Sequence, residues 1–82
     1  MFFGTTRIAR RVICQALEDL TDLDTDTRQD AIRWVGSQDF DHACMEARLD
    51  SSQIKKFIAQ MMKLPTGIRR KKAKQLINRY LD

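Results

Sequence analysis

At 82 residues, with 43% hydrophobic and 32% charged side chains, one proline and three glycines, the chain has room for one domain of helices and short turns. A domain this small buries only about 60% of the surface its unfolded chain exposes, which leaves little loop from which to build an enzymatic pocket. The net charge of +4 divides unevenly: residues 1–50 carry −4 and residues 51–82 carry +8, an asymmetry that points to an anionic partner for the C-terminal part.

Apolar spacing predicts five helices and no strand, an all-α bundle spanning residues 1–82. The N-terminus, Met1-Phe2-Phe3-Gly4, leads into Arg7, Arg10 and Arg11 without an apolar run long enough for a membrane span or a signal-peptide core. A cytoplasmic protein that does not enter membranes is therefore expected, with Phe2 and Phe3 folding back on the core. Residues 5–17 are arginine-rich, acid-free and amphipathic, which reads as a mitochondrial presequence or, equally, as the first core helix of a small domain.

Helix one is expected from about Thr6 to Leu20, with Ile8, Val12, Ile13, Ala16, Leu17 and Leu20 on one stripe. Helix two runs from about Thr25 to Val35, capped by Asp24 or Thr25, burying Ala31, Ile32, Trp34 and Val35 and ending at Gly36. Ser37 is placed to cap a short third helix whose apolar face is Phe40, Ala43, Cys44 and Ala47, with Asp39 complementing the dipole of its first turn. Helix four opens on a capping-box pattern, Asp50 with Gln53, flanked by Leu49 and Ile54 as a hydrophobic staple. Ile54, Phe57, Ile58, Met61 and Met62 form its apolar face, and Pro65 stops it. Thr66 is placed to cap helix five, about 67–81, in which Ala73, Leu76, Ile77 and Tyr80 align.

Helices three and four are joined by about two residues, Leu49 and Asp50, which is the spacing of a helix-turn-helix over about 38–63. Ala43 and Cys44 are the small residues at the helix crossing, Leu49 anchors the turn, and Ile54 and Phe57 face inward. Arg48 departs from the pattern, because the residue opening such a turn adopts a left-handed conformation that favours glycine. An ordinary helical hairpin would show similar spacing.

The exposed positions point to nucleic acid. Ser51, Ser52, Gln53, Lys55 and Lys56 begin helix four, where a recognition helix meets base edges and phosphates. Arg69, Arg70, Lys71, Lys72 and Lys74 crowd the first turns of helix five, where each cation opposes the helix dipole by about 0.3–1 kcal/mol unless an anion relieves it. A solubilising charged face is the alternative explanation. These ten residues are the candidate nucleic-acid-binding set, and they are expected to gather on one surface away from the chain's own carboxylates.

The run Trp34, Ser37, Asp39, Phe40, Cys44, Ala47, Leu49, Asp50, Ile54 resembles a pattern of short phage and prophage proteins, W-x-x-S-x-D-F-x-x-x-C-x-x-A-x-L-D-x-x-x-I, over about a quarter of the chain. Those proteins are small, helical and mostly of unassigned function, so the resemblance implies a phage origin more than an activity. Where its members usually have Ala-Gly before the turn, this chain has Ala47 and Arg48. The middle of the pattern is also similar to the helix-turn-helix of phage small terminase subunits and repressors, which implies a DNA-binding fold by analogy.

Other chemistries fit less well. Asp22, Asp24 and Asp26 imitate the start of a calcium loop, but Thr27 and Arg33 stand where its glycine and bidentate glutamate belong. His42 and Cys44 supply too few ligands for zinc, and two residues apart on a helix they do not face each other as a nucleophilic pair would. Cys14 and Cys44 fit reduced core cysteines, and Met61 and Met62 fit core filler. The sequence thus predicts no enzyme, no metal and no cofactor. It predicts a binder of duplex DNA that works as a homodimer or higher oligomer, with an acidic host or phage protein surface as the alternative partner.

Overall fold

The computed structural model describes residues 6–81, and side chains as far as residue 79; Phe2, Phe3 and the Tyr80 side chain lie outside the described residues. Five α-helices follow in order, α1 Thr6–Asp19, α2 Thr25–Val35, α3 Gln38–Glu46, α4 Ser51–Met61 and α5 Thr66–Leu76, and a π-helical turn, Ile77–Leu81, continues from α5. The uniform C-terminal helix expected over about 67–81 therefore changes winding after Leu76. The described residues contain no strand, and none of their helices is long and apolar enough to cross a membrane.

The first helix is the spine of the bundle. It packs most extensively on α3 and also on α2, α5 and the π turn, while α4 joins α3 to α5. Its buried line is Ala9, Ile13, Ala16 and Leu17, with Leu20 just past its end. The expected stripe began one residue early: Ile8 is 50% exposed and Val12 is half-buried. The reason lies in how closely α1 and α3 approach. Arg10 Nε donates to the Ala47 carbonyl at 3.2 Å, tying the start of α1 to the end of α3. In that region the fully buried residues Ala9, Ala43 and Ala47 take the place of larger side chains.

Phe40 and Leu20 are among the largest side chains sealed in the centre, and Trp34 meets the Phe40 ring edge-on at a centroid distance of 5.6 Å. Trp34 and Val35 are half-buried against the core, whereas Ile32, expected with them, is exposed. Cys14 and Cys44 both remain thiols.

The helix starts separate into expected and unexpected caps. Asp24 accepts from the Thr27 amide at 3.0 Å and the Thr27 hydroxyl at 2.7 Å, and these bonds hold its carboxyl below the usual range. Asp50 accepts from the Ser52 and Gln53 amides at 2.9 and 3.4 Å. Ser37 occupies the cap position of α3, but its hydroxyl turns back to the Trp34 carbonyl at 2.6 Å and caps nothing in α3. At α5 the cap position falls on Pro65 and not on Thr66, and neither supplies a side-chain cap.

Candidate nucleic-acid interface

The connection between α3 and α4 decides whether a helix-turn-helix exists at all. Arg48 has φ 59°, the only positive φ among the described non-glycine residues. The Leu49 amide reaches the Cys44 carbonyl at 2.8 Å and the Arg48 amide reaches the Met45 carbonyl at 3.1 Å. Together these are the two bonds of a Schellman motif, with Arg48 where glycine usually sits. Leu49 follows it and packs against the core beside Cys44. An arginine thus adopts the left-handed conformation that glycine usually supplies, with the cap Asp50 two residues on and α4 starting at Ser51.

From that turn α4 buries Ile54, Ile58 and Met61, half-buries Phe57 and Met62, and exposes Ser52, Gln53, Lys56, Ala59 and Gln60. Its N-terminal face carries no carboxylate beyond the capping Asp50, and no acidic residue occurs again before Asp82.

The ten candidate residues do not form the single surface expected of them. Lys55 is engaged within the fold, with Nζ 3.0 Å from Asp41 Oδ1 and 5.7 Å from the centre of the Phe40 ring. That carboxylate oxygen is shielded from solvent, so the ammonium is what makes its burial tolerable. Arg69 is engaged too: Nε donates to the Leu64 carbonyl at 2.6 Å and a terminal nitrogen to the Met62 carbonyl at 2.8 Å. It ties down the turn that follows α4, through the carbonyls of the cap residue Met62 and of Leu64, which explains a cation in the first turn of α5 without any external anion. Arg70 and Lys74 line a hollow on the α1 flank of α5 together with Glu18, Asp19 and Asp22. Their charge is set against the acidic end of the first helix.

What remains is a smaller set. Ser52, Gln53 and Lys56 are exposed at the start of α4 with Ser51 half-buried beside them, and Lys71 and Lys72 are exposed on α5. Lys56 and Lys72 border two adjoining hollows between α4 and α5, which share Phe57 and Gln60. Two arginines that sequence reading left out, the exposed Arg48 and the half-buried Arg10, flank the turn itself. In the sequence, Arg48 signals only the absence of the usual glycine.

Cys44 is fully buried, and burial, reinforced by Asp41, pushes its thiol up from 9.0 to about 11. His42 is exposed, so the two occupy different surroundings. Among the described residues no three His, Cys, Asp or Glu side chains are grouped to hold a metal ion. Comparison with protein families, curated proteins and solved structures finds no match to this chain.

Proposed function

We propose that this chain is a small phage-type DNA-binding protein, a transcription regulator or packaging-type recognition subunit acting in the host cytoplasm. It presents the first turns of α4 to the major groove and holds backbone phosphate with Lys71 and Lys72. The observation that carries this reading is the left-handed turn at Arg48. A non-glycine residue in that conformation is unfavourable by roughly 1–2 kcal/mol, and strain retained at an exposed position is a reason to look for function. In this reading α4 serves as the recognition helix, and its exposed Ser52, Gln53 and Lys56 are side chains suited to base edges and phosphate.

The test is a duplex-DNA titration over a salt series. Lys56, Lys71 and Lys72 neutralising three phosphates give a slope near −3 on a log–log plot. A slope of −4 to −5 would bring Arg70 and Lys74 into the interface, and a flat response would remove the proposal. Lys56→Glu combined with Lys72→Glu should abolish binding and leave the helical circular dichroism intact.

A second reading, in which the partner is an acidic protein surface, is favoured by the apolar floor between Lys56 and Lys72, since phosphate has no use for Phe57 and Leu64. Retention of a host protein after complete nuclease digestion, together with no DNA affinity, would select it.

A further inference from the structure

The connection between α1 and α2 carries the most exposed large apolar side chain of the described residues. Leu23 is 79% exposed and lies between Asp22 and Asp24, with Asp26 following. The carboxylates have a structural reason to be there, because Asp24 caps α2 and acids suit a helix N-terminus. Leu23 has none. It adds nothing to the core, while the residues on either side of it are hydrogen-bonded within the fold. The Asp24 amide donates to Asp22 Oδ1 at 2.8 Å, and the Arg28 guanidinium donates to the Asp22 carbonyl at 3.0 Å. A single apolar knob is thus displayed between acidic side chains on the connection between α1 and α2.

The matching surface lies across the molecule. Phe57, Gln60, Met61, Leu64 and Lys72 enclose a hollow of about 260 Å³ between α4 and α5, and Lys56 stands on its extension past Phe57. Its floor is apolar and its borders are cationic, the inverse of the Leu23 loop in both respects. The loop cannot fill this hollow within its own chain. Asp22 lines the opposite flank of α5, facing Arg70 and Lys74, so the helix stands between knob and hollow.

We propose that the occupant is a second copy of this chain: Leu23 of one molecule enters the Phe57–Leu64 hollow of the next, with the exposed Asp24 and Asp26 that follow it facing Lys72 and Lys56. The contact pairs two different patches and is therefore heterologous, so it propagates into an open chain unless the rotation closes it into a ring. It also gives the division of charge along the sequence a use, because opposite ends of the molecule attract and steer one another. This inference does not rest on the DNA-binding reading.

The test is sedimentation velocity on four samples: the native chain, Leu23→Ser, the double variant Lys56→Glu/Lys72→Glu, and an equimolar mixture of the two variants. All the substituted side chains are exposed, so circular dichroism should be unchanged. The native chain is expected to grow beyond a monomer with concentration at low salt, and to dissociate as salt shortens the Debye length to about 8 Å and below. Each variant alone should associate about tenfold more weakly or worse. The mixture should form a heterodimer and stop there, because one variant retains only the hollow and the other only the knob. A native chain that stays monomeric at every concentration, a Leu23→Ser variant that assembles like the native chain, or a mixture that stays monomeric would each overturn the proposal.

Discussion

Replacing Arg48 with glycine should stabilise the fold. The residue sits at φ 59° as the left-handed member of a Schellman motif, where its β-carbon crowds the following carbonyl. Relief of that crowding is worth about 1–2 kcal/mol, and glycine gives back about 0.4–1 kcal/mol through the larger entropy of its unfolded state. The net gain lies between about 0 and 1.6 kcal/mol with a midpoint of about 0.8, which for a domain of this size raises Tm by about 3–6 °C. Thermal and urea melts followed by circular dichroism measure it, with Arg48→Ala as the control that removes the charge and keeps the β-carbon. A glycine variant melting no higher than the alanine variant would refute the reasoning. If Arg48 also meets phosphate, both variants lose DNA affinity alike, so the glycine variant separates stability from binding in one molecule.

Arg69→Leu removes the donor to the Met62 and Leu64 carbonyls in the turn after α4 and should lower stability by about 1–3 kcal/mol in urea unfolding, with the salt slope for DNA unchanged. Asp50→Ala should lose about 1 kcal/mol with the cap of α4, measured the same way. Ser37→Ala should not produce the loss of an N-cap, because the hydroxyl bonds to Trp34. The Cys44 thiol is raised to about 11 in the folded chain against 9.0 for an ordinary thiol. The folded state therefore holds its proton more tightly: this group leaves stability unaffected below pH 9, and stability falls as pH climbs from 9 towards 11. Cys44→Ser unfolding across that window should show a flatter dependence, and a native profile as flat as the variant's would contradict the assignment.

Much of this architecture could be read from residue order because local chemistry marks it. Asp24 and Asp50 are acidic caps ahead of apolar runs, and Pro65 interrupts the pattern between α4 and α5. Phase within a helix was harder. On α1, Ile8 outranks Ala9 on any scale of hydrophobicity, yet the close approach of α3 makes the small residue the buried one. The hydroxyls of Ser37 and Thr66 announce caps that competing geometry overrides, by a nearer carbonyl in one case and by the proline before it in the other.

The candidate site was legible in composition and not in arrangement. Nine cations in residues 51–82 are visible at once, but Lys55 finds Asp41 in the preceding helix and Arg69 finds carbonyls five and seven residues back. Which face each lysine of α5 shows depends on how that helix lies between α1 and α4. Periodicity alone does not carry that information.

The bond from Arg10 to the Ala47 carbonyl has a consequence for how self-sufficient the pair of helices α3 and α4 is. It spans 37 residues of chain, and it fastens the peptide immediately before the left-handed residue to a helix formed at the other end of the fold. Residues 38–63 excised as a peptide would lose this strut and the alanine-lined seat beneath it, and would not be portable to another scaffold.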